Sequence, residues 1–464
     1  MLNKIAKSKF LFLITALFIF GMATMPRLFA DTGEATAGHG AAITLLWIVI
    51  VLVVAKLSGL VEKIGQPSVL GELVSGVILG NLALIGINFF DPIKTDTFIP
   101  FLAELGVIIL LFQVGLESNI SQMRKVGVSA LLVAIIGVVV PFVLGTWVVG
   151  PWLMPGLDTN TYLFLGAALT ATSVGITARV FRDLGKLKMP EAQIVLGAAV
   201  IDDVLGLIIL AVVSALVTLG AVSIGGVSWI IAKSVLFLVG AIVIGQLGAA
   251  PLGRLFSKIN TGAGMKFTLA VAFALLFAYF AGLIGLAPIV GAFAAGLVLD
   301  AVHFKNFKKP KISEDLEAEA EGLDGVVKER LLKVAHHHSE KHVEDLIEPL
   351  SHFFVPIFFV VTGMSVNIET LFDPKILTVA LIITVVAFLG KYVSGLAAGK
   401  VNKHIVGFGM VPRGEVGLIF ATIGRGLGVV SEEVFSIIVI MVILTTLLTP
   451  PLLSYFIKKQ PVTA

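Results

Sequence analysis

Residues 198–207 read Ala-Ala-Val-Ile-Asp-Asp-Val-Leu-Gly-Leu. Asp202 and Asp203 therefore sit near the middle of an apolar run, 190–218, long enough to cross a bilayer as one helix. An ionisable side chain at that depth is costly unless it is paired or wet, so it marks a pathway or a site. Neighbouring helical positions point about 100° apart. The two carboxylates thus cannot face the same way: one is expected to face a cavity and the other a neighbouring helix. A satisfied structural polar pair is the plainer alternative, but packing alone does not call for two ionisable groups at mid-membrane.

The rest of the chain suits that reading. Of 464 residues, 57% are hydrophobic and only 14% charged, against roughly 25% charged in soluble domains. Mean hydropathy is +1.04. The composition argues against a water-soluble enzyme and against a nucleic-acid partner. The absence of cysteine excludes disulfides, thiol catalysis and Cys-ligated metals. No Ser/His or His/Glu metal constellation lies at membrane depth, so the chain is not expected to be an enzyme, and no cofactor is expected. The first thirty residues carry Lys4, Lys7 and Lys9 ahead of the apolar run Phe10 to Ala23, then Pro26, Arg27 and Ala30. That pattern reads as a signal peptide over 1–30, with a retained first helix as the competitor.

Further apolar runs near the ~20 residues needed to span a bilayer fall at 41–62, 68–86, 98–116, 126–149, 160–179, 190–218, 227–247, 267–284, 287–300, 350–366, 374–397, 404–425 and 432–457. These are thirteen candidate transmembrane helices. If the loops alternate between two sides, the side following the odd-numbered spans holds 22 of the 33 Lys and Arg, and the other side holds only Lys94, Lys375 and Arg425. The positive-inside rule then puts the mature N-terminus outside and the C-terminus in the cytoplasm.

The third span ends in Leu-Phe-Gln-Val-Gly-Leu-Glu-Ser-Asn-Ile (111–120) and the tenth in Phe-Val-Val-Thr-Gly-Met-Ser-Val-Asn-Ile (359–368). The fifth carries Ser173-Val174-Gly175-Ile176 where the twelfth carries Glu415-Val416-Gly417-Leu418. Both matches pair span n with span n+7. Seven is odd, so paired spans run in opposite directions and form an inverted repeat, an arrangement that puts a transporter's site near the midplane at discontinuous helices. Thr170-Ala171-Thr172-Ser173 and Met410-Val411-Pro412-Arg413-Gly414-Glu415 are where those two helices are expected to break. Breaks free backbone groups that are tolerable only beside a cavity or inside protein. The hydroxyls of Thr170, Thr172 and Ser173 are hard oxygen ligands suited to a small monovalent cation, with interhelical glue as the alternative. Arg413 and Glu415 are expected to neutralise each other or to bridge the broken helices. Lys391, deep in the eleventh span, needs an anion, and an Asp of the sixth span is the natural one; a lysine snorkelling to the interface is the other reading.

Together with Gly65-Gln66-Pro67-Ser68-Val69-Leu70-Gly71-Glu72-Leu73 and Val355-Pro356-Ile357-Phe358-Phe359-Val360, these stretches resemble the cation:proton antiporter-2 family of monovalent cation/proton antiporters over about residues 41–457. The resemblance implies a homodimer in the membrane lipid, in a bacterial inner membrane. It implies a dimer domain (about 41–116 and 267–366) and a mobile core (about 126–218 and 374–457). It further implies that Asp203 carries the ion while Asp202 pairs with Lys391. The Asp-Asp pair plus Lys391 resembles the electrogenic sodium/proton exchangers, and an electroneutral K⁺/H⁺ antiporter or a Kef-type potassium efflux channel is the alternative. Kef-type relatives carry a nucleotide-binding domain after the last helix, and none is expected in cis here. The expected activity is exchange of Na⁺, Li⁺ or K⁺ for protons by alternating access.

One segment falls outside that pattern. Residues 303–349 form a cytoplasmic insertion with amphipathic periodicity, and six of the eight histidines lie in it or just after it: His303, His336, His337, His338 and His342 within, and His352 three residues beyond. It reads as a solvated helix. Alternatives are a pH-responsive element and a weak transition-metal site at His338 and His342, which share a helix face.

Overall fold

The computed structural model describes residues 37–459 except 65, 118–126, 188, 220–223, 285, 300–303, 305–306, 322 and 324. The signal-peptide expectation falls outside these residues. The chain divides into a short unit ending at Ile50 and a large unit from Val51 onward. Every regular element among the described residues is helical.

The order is α1 (Ala37–Ser58), α2 (Ser68–Gly80), α3 (Phe98–Glu117), α4 (Val128–Val143), α5 (Thr159–Ala168), α6 (Val174–Asp183), α7 (Pro190–Leu219) and α8 (Ile224–Ser257). There follow α9 (Ala263–Leu283), α10 (Pro288–Val298), α11 (Lys311–Glu321), α12 (Gly325–Met364), α13 (Pro374–Tyr392), α14 (Lys403–Gly409), α15 (Glu415–Gly426) and α16 (Glu432–Lys458). By length and composition, eight helical stretches can cross a membrane, and three further apolar helices, Ser68–Gly80, Pro288–Val298 and Val416–Gly426, are shorter. The runs 160–179 and 404–425 are each interrupted, as α5/α6 and α14/α15.

Two bundles make up the large unit. In one, α3 packs on α10 and α12, and α12 on α2. Glycine permits that approach: a Cβ at Gly76 would lie 3.0 Å from the Cα of Gly363, and one at Gly363 would lie 3.0 Å from that of Gly76. With no hydrophobic drive between helices in lipid, such close backbone contact is what holds them together. In the other bundle α7 packs on α4, α13 on α4 and α16, and α15 on α5. One end of it is closed by Phe181, Val195, Ile405, Met410 and Leu453, all fully buried. Helix α8 touches both α7 and α10.

The insertion is not a separate piece. Its second half is the start of α12, which runs for 40 residues without interruption into the apolar stretch that ends at Met364. Ser313 of α11 donates to the Ala335 carbonyl at 2.9 Å. The Lys266 ammonium at the start of α9 bonds the Lys308 carbonyl at 2.8 Å and His342 Nδ1 at 2.9 Å.

Candidate functional site

Helix α7 forms because its thirty residues are almost uniformly apolar, with Pro190 at the first position, where a missing N–H costs nothing. Asp202 and Asp203 interrupt it and are both buried, 2% and 8% exposed. Across from them, Lys391 near the end of α13 is fully buried. Its Nζ donates to Asp202 Oδ1 at 2.5 Å. Room for the lysine comes from α4: a Cβ on Gly137 would already lie 3.4 Å from Lys391 Cδ and Nζ. The second oxygen of Asp202 has no hydrogen-bond partner among the described residues.

The two breaks meet each other. Between α5 and α6 the chain leaves helical geometry at 169–173, and between α14 and α15 at 410–414. Ser173 N donates to the Pro412 carbonyl at 2.8 Å, Thr172 Oγ1 to the Met410 carbonyl at 3.2 Å, and Thr177 Oγ1 to the Gly409 carbonyl at 2.6 Å. Gly414 allows the crossing, because a Cβ there would lie 2.6 Å from Ser173 Cβ and Oγ. Thr170 instead donates within its own chain turn, to the Ala167 carbonyl at 2.7 Å.

Arg413 is fully buried and serves as the clamp of the crossing. It donates from one guanidinium nitrogen to the Ala171 carbonyl and from another to the Ala387 carbonyl, each at 3.0 Å. One side chain thereby ties the α5/α6 break to the helix that carries Lys391. Its own carbonyl accepts from Thr446 Oγ1 of α16 at 2.5 Å. The expected Arg413–Glu415 pairing involves a Glu415 side chain that lies outside the described ones. The carbonyls that freed helix ends expose carry partial negative charge, and the guanidinium offsets it.

Sequence reasoning did not find Thr177, Thr446 or the Ala387 carbonyl. A run of threonines, Thr445, Thr446 and Thr449, in an otherwise apolar helix was a usable signal; for a backbone carbonyl the sequence has none. At the insertion, His342 turns to the Lys266 ammonium, an environment that repels a metal cation. Among the described residues no group of three or more His, Cys, Asp or Glu is arranged to hold a metal.

Chemically, the centre holds two carboxylates, an ammonium and a guanidinium away from bulk water, flanked by hydroxyls and two pairs of helix ends. Such a set can exchange protons with a small cation without any covalent step.

Comparison with known proteins gives a consistent family. The model of the family described as "Sodium/hydrogen exchanger, transmembrane" matches residues 48–459. The high-affinity Na⁺/H⁺ antiporter NhaS3 of Synechocystis sp. is 36% identical over 445 residues, 88% of each chain. The Na⁺/H⁺-K⁺ antiporter GerN of Bacillus cereus is 34% identical, covering 88% of this chain and 95% of its own. The solved structure of the sodium proton antiporter MjNhaP1 from Methanocaldococcus jannaschii superposes with a TM-score of 0.62 over 90% of this chain and 97% of that one. At 18% identity, that likeness speaks for a shared fold.

Proposed function

The chain belongs to the sodium/hydrogen exchanger family, and on that premise we propose that it exchanges Na⁺ for protons by alternating access, electrogenically, with Asp203 as the carboxylate both ions share. Antiport of a monovalent cation against protons is the family's activity, and these proteins are transporters, not enzymes. The observation that carries the finer reading is the buried Lys391–Asp202 pair one residue from Asp203. Each partner is buried and holds its charge only against the other, so opening the pair leaves an uncompensated charge that is costly to keep. A cation arriving at Asp203 draws Asp202 from Lys391, the lysine releases its proton, and a second proton leaves Asp203. Two protons then cross per Na⁺, and net charge moves.

In this reading Thr170, Thr172 and Ser173 supply oxygen ligands, and Arg413 holds the crossing. The bundle of α4–α7 and α13–α16 moves against α1–α3 and α9–α12, which form the interface of a homodimer. The interrupted pairs α5/α6 and α14/α15 each count as one span, which makes thirteen with the N-terminus outside and the C-terminus in the cytoplasm of a bacterial inner membrane. The test is purified protein in vesicles with an internal pH dye, challenged with Na⁺, Li⁺ and K⁺. Saturable, pH-coupled dequenching is expected, strongest with Na⁺ and driven by an imposed membrane potential. A response that does not saturate and ignores the proton gradient would mean a channel instead.

A further inference from the structure

Ser394 lies three positions beyond Lys391, where α13 gives way to a tighter 3₁₀ turn over Val393–Ala397. Residues three apart on a helix share a face, and 3₁₀ winding brings them closer into line. The serine is fully buried, yet its hydroxyl has no hydrogen-bond partner among the described residues. The threonines of the same helix behave otherwise. Thr378 and Thr384 each donate to the carbonyl four residues back, at 2.6 and 2.7 Å, the ordinary way for a hydroxyl to be satisfied inside a span. A buried hydroxyl left alone is costly, so Ser394 calls for a partner that reaches it in another state of the protein.

The nearest candidate is the lysine itself. A Cβ on Gly137 of α4 would lie 3.4 Å from Lys391 Nζ, from Lys391 Cδ and from Ser394 Cβ alike. Lysine and serine thus border one gap, left open because residue 137 has no side chain. Nζ and Ser394 Cβ are separated by no more than twice 3.4 Å, within the sweep of a flexible four-carbon stem.

The charges around the lysine favour such a move. Those that bear on it are Asp202, Asp203 and Arg413. When a cation occupies Asp203 and draws Asp202 away, the ammonium loses its counter-ions and keeps only the Arg413 guanidinium, held on the Ala387 carbonyl one turn earlier. Two like charges in a dry interior repel, and the ammonium sheds its proton. The amine then carries a lone pair, which a hydroxyl with a free O–H can fill.

We infer that Ser394 is the second berth of Lys391: its hydroxyl donates to the neutral amine once the Asp202 pair has opened, and keeps the amine from returning to the carboxylate while the cation is bound. The inference rests on the exchange reading above. The ammonium passes one proton to water and Ser394 keeps its own, so the proton balance is that of the exchange. Ser394 is a positioning residue, acting on the cation only through the lysine.

Two measurements test it, Na⁺-driven exchange in vesicles and thermal melting of the purified protein with and without Na⁺. Ser394→Ala is expected to raise the apparent KM for Na⁺ about fivefold, the weight of one hydrogen bond, while the maximal rate stays as in wild type. Gly137→Ala puts a methyl in the gap and should raise the KM in the same way from a different helix. Bound Na⁺ stabilises the folded protein according to its affinity. Ser394→Ala should therefore gain less melting temperature from Na⁺ than wild type, yet melt no lower without Na⁺, because the hydroxyl has no partner in that state. A Ser394→Ala protein that melts lower in the absence of Na⁺ would make the hydroxyl structural and overturn the second berth. A wild-type KM in either variant would overturn it too. Wild-type vesicles with no cation/proton exchange would instead refute the exchange reading itself.

Discussion

Burying Lys391 with Asp202 exchanges two hydration shells for one ion pair, and in a low-dielectric interior such an exchange yields little net stability. The pair's value therefore lies in what happens when it opens. Breaking it by removing one partner leaves a lone buried charge and costs about 3–5 kcal/mol, so Lys391→Gln should lower the melting temperature of the purified protein. The double variant Lys391→Gln with Asp202→Asn removes both charges and should recover most of that loss. Because Asp203 remains, both variants should retain exchange but lose its dependence on membrane potential; current with unchanged stoichiometry would reduce the lysine to a structural role. Asp203→Asn differs in kind. It keeps the shape and removes the ionisable group, so exchange should fall to the background of empty vesicles while the protein stays folded, and retained exchange would displace the site from Asp203. These residues were legible in sequence because an ionisable group in an apolar run stands out without any structure. The Arg413 clamp was not, since its partners are the carbonyls of Ala171 and Ala387, which no sequence pattern marks.

At the scale of elements, the crossing of α5/α6 with α14/α15 depends on one missing methyl. A Cβ on Gly414 would meet Ser173 Cβ at 2.6 Å, a contact that must push the two breaks apart, and overpacking of this kind costs about 1–3 kcal/mol. Gly414→Ala should lower the melting temperature and cut transport at least tenfold, through loss of the Ser173–Pro412 and Thr172–Met410 hydrogen bonds. Adding Ser173→Gly removes the opposing Cβ and should restore the melting temperature without restoring transport, because the hydroxyl is gone. A Gly414→Ala protein with wild-type stability and rate would show that the breaks do not need to touch. The positions of both breaks could be read from proline, glycine and hydroxyl residues clustered in apolar runs. Their mutual hydrogen bonding could not, because it joins segments about 240 positions apart. The insertion gave a similarly partial reading: its amphipathic period was visible, yet nothing in the sequence showed that it continues without interruption into the apolar end of α12. Pro349 and Pro356 both lie within that helix and would ordinarily argue for a boundary.

For the whole molecule, hydropathy carried most of the fold, because a bilayer requires every backbone polar group to be satisfied inside a helix and so leaves few architectures open. What it could not supply is the spacing between the bundles, which depends on the side-chain volumes that meet there. The coupling of the two ions can be tested at this same scale. If one carboxylate serves both, each proton bound at Asp203 withdraws a site from the cation, and the apparent KM for Na⁺ should rise as pH falls. The rise should approach tenfold per pH unit where Asp203 is mostly protonated, then level off at higher pH once protons no longer compete. The maximal rate at saturating Na⁺ should fall at the alkaline end, where the opposing proton is scarce. A set of rate measurements over Na⁺ concentration and pH in the same vesicles separates this from the alternative. Were protons and Na⁺ carried at different groups, the KM would hold constant with pH while only the maximal rate varied, and the single-carboxylate mechanism would have to be abandoned.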